Sequence, residues 1–333
     1  MSPWRKKARL LKAYLRGLPV FCSWQVTYVC NYRCRFCDYW KEEVNYSEDA
    51  RRREASLDDF RQGSAKLAEI GSLLISLAGG EPFMRRDLAE IVAVVARDHF
   101  PLLTTNGSLV SEQRAKELWR AGLWGISVSL DSNNPERHDA NRGSTGAAER
   151  ARRALRVLSS TRTRRYQRVS LLCVLADNNL DDLEPLIRFA ADNHCDFLLQ
   201  PYVSFKTGKA GPVLPPAVSE HLLALKGRYS NFVSNPYFLS NFDRFCAGRG
   251  VPDCKAGRAF FNLDNFLNVQ KCVEFREEPV GNLRDLTADE LVRRLHHEYE
   301  RNKCAACWYN CRGEVEALYS LKGLLASAPI LLR

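Results

Sequence analysis

Three cysteines near the N-terminus, Cys30, Cys34 and Cys37, stand in a C-x3-C-x2-C spacing. A β-branched, apolar stretch (23–29) runs into Cys30, and the polar turn Asn31-Tyr32-Arg33 follows it. The loop can therefore wrap its thiolates around one object. Three thiolates on so short a loop suit a [4Fe–4S] cluster with one iron left open, because such clusters are held by closely spaced cysteine thiolates. An open iron can bind a substrate or cofactor, so the pattern points to chemistry rather than a structural staple. A zinc knuckle is the alternative. Zinc sites favour paired C-x2-C units with a second pair or histidines, and no histidine lies near this loop.

A second set lies far downstream. Cys254 and Cys272 are separated by seventeen residues, and between them 258–262 and 267–271 read as strands around the turn Asp264-Asn265. Val280-Gly281-Asn282-Leu283 follows, then a helix near 288–302, then Cys304-x2-Cys307-x3-Cys311. A hairpin carrying two cysteines and a cysteine-rich turn after a helix can converge on one metal centre. A four-cysteine structural zinc is the alternative there. Cys22, Cys173 and Cys195 sit in apolar surroundings and read as core, since free cysteine is among the most buried residue types.

Other motifs follow candidate strands. Gly79-Gly80-Glu81-Pro82 lets a backbone approach a ligand closely, because glycine has no side chain. Thr104-Thr105-Asn106-Gly107 could face a ligand cavity or form a plain Asn-Gly turn. Strand alternation puts Ser127, Ser129 and Asp131 on one face, followed by His138 and Arg142-Gly143. His138 reads as a loop-packing residue rather than a base, and Asp131 as a substrate contact or a helix cap. Asn178 either meets a ligand or caps the helix that begins at Leu180.

The elements that must position these residues alternate regularly. Candidate strands are 23–29, 73–78, 101–105, 125–130, 168–175 and 196–201; candidate helices between them are 56–70, 87–97, 111–121, 146–159 and 180–192. Such alternation implies parallel strands with right-handed crossovers. Six units make an incomplete version of the eight-fold barrel, whose active sites lie at the C-terminal strand ends, where every motif above falls. The fold expected is therefore α/β: a partial (β/α)6 TIM-like barrel over 21–205, a linker rich in glycine and proline over 206–240 (Gly208, Gly211, Pro212, Pro215, Pro216), a small cysteine-rich domain over 241–315, and a tail over 316–333. The charged stretch 41–56 is expected to loop over the barrel mouth.

The chain has 333 residues, is 45% hydrophobic and carries a net charge of +10. It can bury a full core, and no apolar run reaches the length needed to span a bilayer. Twelve cysteines without a secretory signal argue for metal binding in a reducing compartment, hence a cytoplasmic protein. Residues 1–20 form a basic helix whose Arg5, Lys6, Lys7, Arg9, Lys12 and Arg16 are interleaved with apolar residues and no acid. Such a helix suits peripheral contact with an anionic membrane surface; a helix that merely caps the domain is the preferred reading. The arginines of 150–168 give only a weak argument for nucleic acid, which is not expected as a partner.

The cysteine loop, with Phe36 just before its third cysteine, resembles the signature of the radical S-adenosylmethionine (radical SAM) superfamily. The GGEP turn, Ser129 and Arg142 resemble that family's cofactor motifs. The resemblance implies a [4Fe–4S] cluster on Cys30, Cys34 and Cys37, and S-adenosylmethionine chelated by its open iron and cleaved to a 5′-deoxyadenosyl radical. It implies cofactor contacts from Phe36, Gly79, Gly80, Glu81, Pro82, Ser129, Arg142 and Asn178. The Cys–hairpin–Cys, Gly-Asn-Leu, helix, C-x2-C order resembles the SPASM and twitch auxiliary-cluster domains, and implies a second [4Fe–4S] cluster on Cys254, Cys272, Cys304 and Cys307, with Cys311 able to replace one of the last two and Cys246 a further candidate. The chain departs from that pattern at Leu267, where a glycine is usual. The implied function is oxidation or crosslinking of a peptide or small molecule, with an electron donor such as flavodoxin or ferredoxin. Modification of a lipid or isoprenoid, and a non-enzymatic metal-binding protein, are the alternatives.

Overall fold

The computed structural model describes residues 1–41, 47–176, 178–204, 217–320 and 323–325. Its centre is one nine-stranded sheet in the order β6-β5-β4-β3-β2-β1-β7-β8-β9. Strands β1 (Phe21–Thr27), β2 (Leu74–Gly79), β3 (Phe100–Thr105), β4 (Gly125–Ser129), β5 (Arg168–Leu175) and β6 (Asp196–Pro201) are parallel and follow one another in chain order. Helices α1 (Pro3–Leu15), α2 (Glu48–Arg53), α3 (Leu57–Ile70), α4 (Leu88–Val95), α5 (Glu112–Arg120), α6 (Pro135–Arg142), α7 (Ala147–Ser160) and α8 (Leu183–Asp192) come before and between them. This is the partial barrel the alternation implies. The crossover helices carry apolar stripes such as Phe60, Leu67 and Ile70 of α3 and Ala151, Leu155 and Leu158 of α7, which pack on the outer face of the sheet.

The cysteine-flanked hairpin does not make a sheet of its own. Strand β7 (Phe260–Leu263) pairs parallel with β1, and β8 (Asn268–Gln270) and β9 (Gly281–Asn282) follow antiparallel. Gln25 Nε2 donates to Asn262 Oδ1 across that joint at 2.9 Å. Leu267 has φ +69°, a left-handed conformation that favours glycine. Its side chain is nevertheless buried in the main core, which explains why this chain tolerates leucine where the resemblance expects glycine.

The expected linker is partly helical. Helices α9 (Val218–Arg228), α10 (Pro236–Leu239) and α11 (Phe242–Cys246) occupy its second half and the residues just beyond. Leu222 and Leu225 of α9 are buried in the core, a signal outweighed in the sequence by the glycines and prolines before them. Those residues, Gly208 to Pro216, lie outside the described residues, as do 42–46 of the expected mouth loop; the rest of that loop includes α2. Helix α12 (Ala288–Glu300) carries a capping box on Thr287 and Glu290, and α13 (Asn310–Ala317) packs against β1, β6 and β7, filling the gap between the two ends of the parallel run. The helix expected over 1–20 is α1, and it caps the barrel bottom: Lys6 Nζ donates to the Ala96 and His99 carbonyls at 3.0 Å, and Arg9 reaches the Ala68 carbonyl. No helix among the described residues is long and apolar enough to cross a membrane.

The Leu267 strain and burial can be weighed against each other. Left-handed backbone costs a non-glycine residue about 1–2 kcal/mol, whereas emptying a buried leucine site costs about 2–5 kcal/mol. Leu267→Gly should therefore lower stability by roughly 1–3 kcal/mol in urea denaturation. A gain in stability would show that the strain dominates.

Candidate active site

The cysteine loop leaves β1 at the C-terminal edge of the sheet and is held by a buried ion pair. Asp131, just past β4, receives Arg142 Nε at 2.7 Å and Nη2 at 2.8 Å, a two-pronged contact from the last residue of α6. Val174 N donates to Asp131 Oδ1 at 2.9 Å, and the Asp131 N–H donates to His138 Nδ1 at 3.0 Å. Asn179 Nδ2 bridges the carbonyls of Asp131 and Val174 at 2.7 and 2.8 Å. Burial pushes the Asp131 carboxyl upward, but the Arg142 guanidinium, helped by His138, outweighs it and leaves it below its ordinary value. Burial likewise drops His138 to about 4, so it is neutral and its Nδ1 can accept.

From this anchor the end of α6 grips the loop. Arg33 N donates to the Arg142 carbonyl at 3.3 Å and Arg35 N to the Asn141 carbonyl at 3.0 Å. Gly143 closes α6 with φ +59°, and a Cβ there would run into the Arg33 carbonyl, so only glycine allows the approach. The Arg142 guanidinium lies 4.9 Å from the Phe36 ring centre, and its charge acts against the upward push that burial gives the Cys34 thiol. Trp40 Nε1 donates to the Cys34 carbonyl at 3.1 Å.

Cys30, Cys34, Phe36, Cys37, Gly79, Gly80, Ser127, Ser129 and Arg142 all line one chamber of about 580 Å³. Burial raises the Cys30 thiol to about 12 and the Cys34 thiol to about 11. These thiols hold protons unless a cation replaces them, which suits a ligand set made for metal. At Gly79 and Gly80 a Cβ would meet the carbonyls of Thr27, Tyr28 and Val29, so the β2 turn packs backbone on backbone beside the cysteine loop. The donor set, its partial burial and the guanidinium beside it fit a thiolate-bound cluster, whose net charge is negative.

Other expected contacts fall elsewhere. Glu81 is buried outside the chamber lining: Oε1 accepts from Phe83 N and Thr105 Oγ1, and Oε2 from Asn106 N. It ties the end of β2 to the end of β3 through three accepted hydrogen bonds, and Pro82 is buried with it. Arg142 lines the chamber, but two of its nitrogens are taken by Asp131. Asn106 is tied to the cysteine loop by its Nδ2 donating to Asn31 Oδ1 at 2.9 Å. Asn178 is not in the lining. Its buried Oδ1 has no hydrogen-bond partner among the described residues, and the structural work expected near it is done by Asn179.

A second, smaller cavity is lined by Cys254, Cys272, Cys304, Cys307 and Cys311. Cys246 on α11 is not in that lining. Arg312 is the strut of this site: Nε donates to Glu316 Oε1 at 3.0 Å, Nη1 to the Cys307 carbonyl at 2.7 Å, and Nη2 to the Val251 and Pro252 carbonyls at 2.6 and 2.9 Å. Asn302 Nδ2 donates to the Cys254 carbonyl at 2.9 Å. Burial raises the Cys272 thiol to about 12 and the Cys307 thiol well above its ordinary value. None of the twelve cysteines is joined in a disulfide among the described residues, and no three metal-ligating side chains among them are arranged to hold a single ion. Phe21, Ser23, Val273, Tyr309 and Cys311 border both cavities, so the two sites share a wall. Sequence reasoning missed Arg312, Glu316 and Tyr309; the signal was an Arg and a Glu four residues apart directly after Cys311.

Removing one partner of a buried pair leaves the other charge uncompensated, at a cost of about 3–5 kcal/mol. Arg142→Ala should destabilise the metal-free protein by that amount in urea denaturation. Adding Asp131→Asn to an Arg142→Met change should recover a large part of it. A loss under about 1 kcal/mol for Arg142→Ala, the range of an exposed pair, would contradict the geometry.

Residues 24–190, half of the chain, match the family model described as the Radical SAM superfamily. The chain is similar to the mycofactocin maturase MftC of Mycolicibacterium smegmatis, at 26% identity over 96% of this chain and 84% of that protein. It is similar also to the AdoMet-dependent heme synthase of Nitratidesulfovibrio vulgaris, at 24% identity over 90% of this chain and 88% of that one. Among solved structures, Streptococcus suis SuiB bound to the precursor peptide SuiA superposes with TM-score 0.64 at 13% identity, over 95% of this chain and 76% of that one. anSMEcpe with bound AdoMet and a peptide superposes with TM-score 0.62 at 17% identity, over 94% and 98%.

Proposed function

We propose that this chain, which belongs to the radical SAM superfamily, oxidises or crosslinks a peptide or small molecule in the chamber between its two cysteine sets. The family uses a [4Fe–4S] cluster and S-adenosylmethionine, and this chain is a radical SAM enzyme. The observation that carries the reading is the shared wall: one chamber touches Cys30, Cys34 and Cys37 at one side and Tyr309 and Cys311 at the other. Cys30, Cys34 and Cys37 would hold the first cluster, and four of Cys254, Cys272, Cys304, Cys307 and Cys311 a second. When bound, these groups supply hydrogen-atom abstraction from an unactivated C–H bond and a place for the electron left behind. A peptide is the preferred substrate, because MftC is named a maturase and the SuiB structure holds a precursor peptide. These relatives do not favour a lipid or isoprenoid substrate.

The chain's own residues would exclude water and orient the substrate. Tyr32, Phe36, Tyr39 and Trp40 form an aromatic wall beside the three cysteines. Ser127 and Ser129 present hydroxyls from β4, and Gln200 of β6 lies in the same lining. Glu314 on α13 joins them. Both its carboxylate oxygens accept from Asn235 N, at 3.1 and 3.0 Å, and burial raises its carboxyl to about 7. It can therefore hold or release a proton at neutral pH, as loss of hydrogen from a substrate requires. The reaction also needs an electron donor of flavodoxin or ferredoxin type, and the net charge of +10 would draw in an acidic one. The reducing cytoplasm is the proposed setting.

Anaerobic reconstitution should load about eight irons, four per cluster, with little zinc. Replacing Cys30, Cys34 and Cys37 together by alanine should leave about four irons and no 5′-deoxyadenosine. The Cys254→Ala/Cys272→Ala variant should keep cleaving S-adenosylmethionine but make no product. Cleavage by the triple variant, or normal turnover by the double one, would remove the assignment.

Glu314 gives a separate check with a definite sign. Its folded value lies above the ordinary 4.5, so the stability it contributes is full below pH 4.5 and is lost as pH rises through about 7. Glu314→Gln should lack that loss, so wild type should lose more Tm than the variant between pH 5 and 8. Parallel Tm curves would show that Glu314 does not titrate there.

A further inference from the structure

Helix α1 is docked by one side only. Lys6, Arg9 and Ala13 face the barrel bottom, while Trp4, Leu11 and Leu15 are 81%, 57% and 73% exposed. At 100° per residue these three apolar side chains fall within an arc of about 40°. The same arithmetic puts Lys7 about 60° to one side of Trp4, and Lys12, Arg5 and Arg16 about 80–120° to the other. The outward face is thus an apolar ridge between two basic shoulders. Beside it, Tyr14 Oη donates to the Leu318 carbonyl at 2.5 Å, and the adjoining C-terminal segment exposes Leu325 at 67%.

This arrangement is costly for a helix whose task is only to cap a barrel. Acids in a helix's first turn complement its dipole and bases oppose it. Helices α2 to α9, α11 and α12 each place an acid there; α1, like the short α10 and α13, has none. Arg5 and Lys6 stand in its first turn instead. A tryptophan and leucines left in water, flanked by cations, match an interface of opposite charge with an apolar layer beneath it. Nucleic acid would satisfy the cations but not the ridge. A second copy would set the basic shoulders against each other.

We propose that the outer face of α1 docks the enzyme on the surface of an anionic lipid bilayer, with Trp4, Leu11 and Leu15 entering the headgroup boundary and Arg5, Lys7, Lys12 and Arg16 facing lipid phosphates. The helix lies in the membrane plane and does not cross it. Docking this way holds the barrel bottom toward the lipid and leaves the opposite, C-terminal strand edge free for substrate. The proposal does not depend on which substrate the chamber takes.

Flotation of the full-length, cluster-loaded protein with vesicles tests it. Vesicles of phosphatidylcholine containing phosphatidylglycerol should carry the protein up, phosphatidylcholine alone should not, and high salt should release it. A basic residue near such a surface contributes about fivefold in affinity, so Lys12→Glu with Arg16→Glu should weaken binding more than tenfold. The triple variant Trp4→Ser, Leu11→Gln, Leu15→Gln should lose flotation while its circular dichroism and Tm stay unchanged, because all three side chains are exposed. Absence of flotation with anionic vesicles overturns the proposal, as does binding that neither variant weakens.

Discussion

A carboxylate and a guanidinium taken out of water together, Asp131 and Arg142, hold the cysteine-bearing edge of this molecule in register. Burying such a pair costs several kcal/mol in desolvation, and well-packed apolar residues would often serve stability as well or better. What the pair supplies is geometry. Asp131 collects the ends of β4 and β5 through Val174 and Asn179, and Arg142 carries the end of α6 to the backbone of Arg33 and Arg35. The cysteine loop is thus fixed by three elements that meet at one charge pair. Its position beside Cys34 also sets positive charge next to thiolates that would otherwise be buried alone.

The same solution appears at the other end of the chamber. Arg312 and Glu316 form a buried pair, 1% and 2% exposed in their side chains, beside Cys254 and Cys307. Arg312 spends its remaining donors on the carbonyls of Val251, Pro252 and Cys307, drawing together the segments that carry those thiols. Because β7 pairs with β1, this second site is built onto the barrel's own sheet, and α13 brings Cys311 and Glu314 into the gap between β6 and β7. A shared wall follows from that topology.

Much of this was legible in the sequence. The strands at 168–175 and 196–201 match to the residue, since unbroken apolar and β-branched runs between turn residues leave little freedom. The cysteine loop and the hairpin cysteines were legible for the same reason: chemistry that needs several thiolates needs them close together. The partners of charged residues were not. Asp131 and Arg142 are eleven residues apart and meet only because the end of α6 returns to the end of β4, and Glu81 is tied to the end of β3, which no local pattern reveals. Asn178 and Asn179 are equivalent as letters; the fold alone buries the second as a bridge and leaves the side-chain oxygen of the first without a hydrogen-bond partner among the described residues. The helix at 218–228 was hidden by the glycines and prolines just before it.

The proposed function requires two clusters of different kind, one that Cys30, Cys34 and Cys37 would hold and one that four of the downstream cysteines would hold. Electron paramagnetic resonance of the reduced, fully loaded protein reads that difference directly. Adding S-adenosylmethionine should shift one of two cluster signals and leave the other unchanged, and the shifting signal should vanish when Cys30, Cys34 and Cys37 are replaced. A spectrum in which S-adenosylmethionine moves neither signal, or moves the one that depends on Cys254 and Cys272, would contradict it.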